Sequence, residues 1–309
     1  MDCRIFTATL RPLDEKQLAD ALANVQPVKI KHYADRHSAL NKIRHIEGSD
    51  TYYLGYIVEQ EITARLTASP EDEGAIKEQN RMRGIRKRGR SNHKTYLTYD
   101  HMDVYVATSM REKHEYFLVQ KFIGTLFQNE ELVPLKLRWF DPTQAYCDDR
   151  IDKGLVEALM LKRAKCTIYH VQETDTFGKD SELAATLAQG KPVIAFIPQL
   201  RDRVEFISQA EILATSLYPG IPIEKLLIDK FLRLYYPEGA WVDHVVQGWL
   251  NGSREFDKSE AVEFLFLKAQ QMYDKRARTL KETHPLGLQV NLGTGVANGV
   301  LVVRTVQER

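Results

Sequence analysis

Apolar residues in the first segment recur at two spacings. Strand-like runs (Arg4 to Leu10, Val28 to His32, Thr51 to Val58) alternate with two stretches, Asp14 to Asn24 and Arg36 to Ile46, read as helices; Leu18, Leu22 and Val25 fall three and four apart, as one helix face requires. Residues 1–75 are therefore expected to form a small α+β domain. The apolar pattern then stops. Pro70 and the acids Glu71, Asp72 and Glu73 lead into eight basic residues (Lys77, Arg81, Arg83, Arg86, Lys87, Arg88, Arg90, Lys94) opposed by Glu78 alone. Residues 76–100 are expected to be a basic linker.

The clearest rhythm lies in residues 101–200. Apolar strands are predicted at Asp103 to Ser109, Leu135 to Phe140, Cys166 to Val171 and Pro192 to Ile197. Helical spacings separate them at Arg111 to Phe127, Asp152 to Ala164 and Asp180 to Gln189, the last ended by Gly190. Strands alternating with helices imply crossover connections and a mainly parallel sheet. The expected fold is α/β, with a central doubly wound, flavodoxin-like or Rossmann-like sheet. Residues 201–309 read as a mostly helical region (Ala210 to Ser216, Ile223 to Tyr235, Ala240 to Leu250, Lys258 to Thr283). It ends in a β-hairpin of Leu288 to Leu292 and Val300 to Val306, the last strand placed at a sheet edge. Trp241, Val245, Val246 and Trp249 share helical spacing, which reads as a core face.

With 309 residues, 43% hydrophobic and 28% charged, the chain has the composition of a globular protein of two or three domains. No apolar stretch approaches the roughly 18 residues of a membrane helix. Met1-Asp2-Cys3-Arg4 has no leader pattern, and Cys3, Cys147 and Cys166 form neither a disulfide framework nor a zinc site. A cytoplasmic protein without a membrane partner is expected. The net charge of +1 averages over the local basic run, whose phosphate-contacting capacity makes nucleic acid a secondary candidate partner.

Ligands of doubly wound sheets bind beyond the carboxyl ends of the strands, where the strand order reverses. That selects the loops Thr108 to Glu112, Asp141 to Arg150, Gln172 to Ser181 and Pro198 to Arg203. In the third, Gly178 is expected to permit a bend and Asp180 or Ser181 to cap the following helix. Glu182 would then lie in the first helical turn, where an acid also offsets the helix dipole. His32 and His37, and Asp243 with His244, lack ligand partners, so no metal is expected. No nucleophile elbow is present.

The segment Ser181-Glu182-Leu183-Ala184-Ala185-Thr186-Leu187-Ala188-Gln189-Gly190-Lys191-Pro192-Val193-Ile194, with the strand Asp103-Val104-Tyr105-Val106-Ala107-Thr108-Ser109, resembles nucleoside deoxyribosyltransferases and Toll/interleukin receptor (TIR) domains. The resemblance covers about residues 103–198. It implies that Glu182 is the active-site carboxylate, that Asp152 occupies the place of a base-contacting acid, and that Asp175 or Asp180 stands for a further acid before the glutamate. Both families cleave N-glycosidic bonds through an oxocarbenium-like transition state, which a carboxylate stabilises or traps covalently. Nicotinamide leaves NAD⁺ as a neutral molecule and needs no general acid, whereas a purine leaves better protonated. A lone Glu182 therefore favours NAD⁺; a second acid at the base favours a nucleoside.

Lys179, Arg111 and the helix amides are candidates to hold phosphate. Tyr105, Phe177 and Trp139 are candidates to stack a base, and Ser109 lines the cleft. The leading expectation is an NAD⁺ glycohydrolase of TIR-like type, with NAD⁺ as substrate and no separate cofactor. The resemblance also implies a bacterial antiphage effector acting as a homo-oligomer. The alternatives are a nucleoside deoxyribosyltransferase or nucleotide hydrolase, and a non-catalytic nucleotide-sensing or interaction module.

Overall fold

A computed structural model describes residues 56–110, 113–172, 176–217, 220–280, 288–290 and 297–305. The elements expected between Arg4 and Ile46 lie outside these residues. Tyr56–Ala68 forms helix α1, so the end of the predicted strand Thr51 to Val58 is helical.

The expected basic linker is instead part of a 24-residue helix, α2 (Glu73–Tyr96). Its buried residues (Met82, Ile85, Gly89, Asn92, His93 and Tyr96 among them) recur at helical spacing, but half are polar or glycine and escape an apolar count. The acidic trio marks its start: Asp72 is the N-cap, accepting from the Ala75 amide at 2.8 Å, and is also paired with Arg65 at 2.9 Å. Acids at one end and cations toward the other match a helix dipole. Ile62 of α1 packs with Met82 and Ile85.

Strand β1 (Met102–Ala107) is buried along nearly its whole length, as a strand covered on both faces must be. It leads through α3 (Lys113–Phe127) to the short β2 (Trp139–Phe140). The strand predicted from Leu135 is cut back by a 3-10 turn, Val133–Leu135, which ends with Lys136 in the left-handed region at φ 49°. Helix α4 (Arg150–Arg163), capped by Asp149, precedes β3 (Ala164–His170), and α5 (Phe177–Ala188) precedes β4 (Val193–Pro198). Gly190, at φ 73°, ends α5 as predicted: Lys191 N–H donates to Thr186 O at 3.2 Å and Gly190 N–H to Leu187 O at 2.9 Å, the paired bonds of a Schellman cap.

The later chain is helical, with α6 (Arg203–Leu217) and then Ile223–Tyr235, where two short helices, α7 (Ile223–Leu226) and α8 (Leu232–Tyr235), flank a π-helical turn. Next come α9 (Gly239–Val242), α10 (His244–Asn251) and α11 (Lys258–Arg278). Asp243, capping α10, divides the expected Ala240 to Leu250 helix. Val246 and Trp249 are core, whereas Trp241 is exposed. The hairpin is present, Leu288 facing Gly299 between β5 (Leu288–Val290) and β6 (Ala297–Thr305). Yet β6 is not the edge: it runs parallel to β4 from Val193↔Val300 to Pro198↔Thr305, leaving β5 outermost.

The strand order is β2-β1-β3-β4-β6-β5, with five parallel strands and flanking helices, an α/β doubly wound fold. Chain contacts separate two units. One comprises the described residues to Ile168 with Glu182–Pro192; the other comprises Tyr169–Ser181 and the chain from Val193. The second has its own core, in which Phe206, Leu226, Leu232, Trp249, Leu265 and Phe266 take part. Among the described residues no helix is long and apolar enough to cross a membrane.

Gly89 lets the chain after β2 cross α2. Its carbonyl accepts from the Tyr146 amide at 3.1 Å, and an added Cβ would lie 2.6 Å from Tyr146 Cβ. Gly89→Ala is expected to destabilise the protein by about 1–3 kcal/mol, because overpacking against backbone outweighs a gain in helix propensity of about 1 kcal/mol. Gly84, on the same helix with open space around it, supplies the control: Gly84→Ala should stabilise by about 0.5–1 kcal/mol. Urea midpoints of the two variants test the contrast.

Candidate active site

Order 2-1-3-4 reverses direction between β1 and β3, and there, at the carboxyl ends, a ligand is expected. β1 supplies Tyr105 to this point, and the helix that follows β3 supplies Glu182. Tyr105 is fully buried, its ring stacked on Phe140 of β2 with centroids 5.3 Å apart. Its hydroxyl donates to Glu182 Oε1 at 2.6 Å. Burial, and then the Glu182 charge, push the Tyr105 ionisation well above the ordinary phenol range, so it remains a donor at neutral pH. Glu182 is itself only half-buried. A carboxylate is thus gripped from the protein side while keeping a route to solute.

The local sequence explains how Glu182 is set. α5 begins at Phe177, earlier than predicted, because Thr176 serves as its cap: Thr176 Oγ1 accepts from the Lys179 amide at 3.2 Å and Thr176 O from the Asp180 amide at 3.1 Å. Asp180 and Ser181 are not caps; Ser181 Oγ donates back to Phe177 O at 2.8 Å. Gly178 lies within the helix and makes no left-handed bend. Glu182 therefore stands in the second turn, beyond the reach within which dipole compensation operates. The rest of the Gly-Lys-Pro-Val segment has structural work: Lys191 Nζ donates to Lys162 O at 2.5 Å and Leu161 O at 3.3 Å, closing the end of α4.

Asp152, in the first turn of α4, is 3% exposed, and neither carboxylate oxygen meets a hydrogen-bond donor among the described residues. Burial, with the Asp149 charge adding, raises its pKa. Thr108, just past β1, likewise has an enclosed hydroxyl without a partner. Buried polar groups are normally paired, and those that are not mark strain, a missing solute or a functional role. Asp152→Ala is therefore expected to stabilise the protein by about 1–2 kcal/mol, read from the urea midpoint, since it removes a desolvated carboxylate. A loss of stability would show that this carboxylate is paired in solution.

Glu157 of α4 was not singled out by its sequence. It is half-buried, paired with Lys153 at 3.6 Å, and its charge acts on both the Tyr105 and Tyr116 hydroxyls. Burial raises its own pKa. An acid in mid-helix carries no signal until the helix is laid against β1. Ser109 is buried close after β1. Arg111 and Asp175 lie outside the described residues.

The remaining candidates belong to the second unit. Lys179 is 1% exposed, and its ammonium donates to His170 O at 3.3 Å and lies 5.1 Å from the centre of the Tyr169 ring, so it is engaged internally instead of facing phosphate. Burial, with Lys179 adding, pushes the His170 pKa down to about 3. Asp180 accepts from Tyr169 Oη and from Arg276 of α11, the latter at 2.5 Å. Tyr169 and Arg276 were also missed, because a pairing across 96 residues of chain leaves no local pattern. Phe177 is 89% exposed at the start of α5. Among the described residues no group of His, Cys, Asp and Glu could hold a metal. No protein-family model, curated protein or solved structure matches this chain.

Proposed function

We propose that the protein cleaves the N-glycosidic bond of a nucleotide or nucleoside, with Glu182 as the carboxylate that meets the sugar. The observation carrying this reading is the bond from the buried Tyr105 hydroxyl to the half-buried Glu182, at the point where the strand order reverses. The hydroxyl fixes the rotamer of the carboxylate, so little orientation is left to lose in reaching the transition state. As the C1′–N bond breaks, its electron pair departs with the base and positive charge develops on the sugar beside Glu182. The carboxylate either stabilises that charge or bonds to C1′; water, or a second base, then takes the sugar and restores Glu182.

NAD⁺ is the first substrate to test, because its base leaves neutral and Glu182 suffices. Asp152 favours a second reading, a nucleoside. Its enclosed carboxylate, without a partner among the described residues, and its raised pKa suit a group that holds or protonates a departing base. Purified protein is incubated with NAD⁺, and separately with a deoxynucleoside plus a free acceptor base, and the products are separated by chromatography. Nicotinamide release supports the first substrate and base exchange the second. Absence of both products across a range of protein concentrations would overturn the proposal and leave Glu182 as the acceptor that satisfies a buried tyrosine.

A further inference from the structure

The solvent face of α2 carries cations that no acid among the described residues neutralises. Among the eight basic residues between Lys77 and Lys94, Arg81 pairs with Glu78 at 3.8 Å, Arg86 with Glu59 of α1, and Arg90 with Asp148 at 2.6 Å. Arg83, Lys87 and Lys94 are exposed and have no acidic partner among the described residues. At positions i, i+4 and i+11 they fall within about 40° of one another around the helix and span about 16 Å along it. The buried face, with Met82, Ile85, Gly89 and Tyr96, points the opposite way.

Like charges four apart cost a helix about 0.2–0.5 kcal/mol per pair. Arg90, at i+7 in the same stripe, is relieved by Asp148, but among the described residues no acid is placed against Arg83, Lys87 or Lys94. Such local inconsistency is characteristic of a functional surface.

We propose that this face of α2 binds the phosphate backbone of duplex nucleic acid. The cations of this row, about 6 Å and 10 Å apart on one helix face, can each reach a phosphate oxygen along a backbone, and arginine and lysine are the usual donors to them. Asn80 and Ser91 flank the row as further donors. Tyr146 stands beside the row, but the Arg86 and Arg90 guanidiniums lie 5.4 Å and 5.2 Å from its ring centre, so it offers no open stacking platform of the kind single-strand binders use. An anionic membrane fits less well, because interfacial helices also insert an apolar face and here that face is spent in the core. Binding is therefore sequence-independent and governed by salt. The inference stands apart from the glycosidase reading.

The test is fluorescence anisotropy of the full chain with a labelled duplex of about 20 base pairs, titrated from 50 to 200 mM salt. Wild type should bind with a dissociation constant on the order of 10⁻⁵ M and a log–log salt slope of about −2.7, for three phosphates neutralised. The triple variant Arg83→Ala, Lys87→Ala, Lys94→Ala should lose at least tenfold in affinity at 50 mM salt and flatten the slope, while Lys121→Ala on α3 should change neither. All these positions are exposed, so unchanged thermal melting identifies the loss as one of contact. Failure of wild type to bind at 50 mM salt, an unaltered triple variant, or tighter binding to single strands or to vesicles of anionic lipid would overturn the proposal.

Discussion

Glu182→Gln is expected to abolish turnover of whichever glycoside the protein accepts, a fall on the order of 10³-fold or more, because the amide neither balances an oxocarbenium charge nor bonds to C1′. Tyr105→Phe should act through the same carboxylate and cost about 10²-fold, mostly in kcat, because it frees the orientation of Glu182 without removing it. The two losses should not add: once Glu182 is glutamine, removing the tyrosine hydroxyl should have little further effect on rate. The measurement is a double-mutant cycle on kcat and KM. Independent, additive losses would show that Tyr105 does not work through Glu182. The fold should survive both changes, since the Tyr105 ring keeps its packing on Phe140.

The second large effect is a pH dependence of stability centred on Asp141, which follows β2. Its carboxylate is 2% exposed and accepts from the Thr143 amide at 2.9 Å and the Thr143 hydroxyl at 2.6 Å. Burial outweighs these bonds and raises its pKa from 3.8 to about 6. The folded state therefore holds this proton more tightly than the unfolded chain does. The stabilisation is complete below the unfolded value and is lost as pH rises through the folded one. At about 1.4 kcal/mol per unit, this carboxylate alone makes the protein about 3 kcal/mol less stable at pH 7 than at pH 3.5. In Asp141→Asn that component should vanish: the variant should gain on wild type at pH 7 and lose the advantage by pH 4. Urea unfolding at several pH values measures the difference, and parallel curves for the two proteins would exclude the effect.

Much of the central region was legible because its signals are local. β1, β3 and β4 are short apolar runs separated by helical spacings, and a strand buried on both faces has to be written that way. Gly190 ended its helix where only a residue tolerant of positive φ fits. Glu182 was singled out because it follows a parallel strand toward the edge at which ligands gather and because its segment resembles that of two glycoside-cleaving families. The errors also have physical causes. α2 was missed as a helix because its buried face uses Asn92, His93, Thr95 and two small residues, so polarity masked its period. The start of α5 was misplaced because Thr176, which accepts from the Lys179 amide, competes with Asp180 and Ser181 for the capping role.

The sequence by itself determined the alternation of strands and helices and the place of the α/β core, consequences of spacing along a few turns of chain, and through a family resemblance it named one candidate carboxylate. Only the tertiary structure decided what those residues meet. It joined Tyr105 to Glu182 across 77 residues, enclosed Asp152 without a partner among the described residues and turned Lys179 inward. It also inserted β6 beside β4 and divided the basic residues of α2 between paired and unpaired cations. Pairing, burial and desolvation depend on which distant segments come together, and no local pattern encodes that.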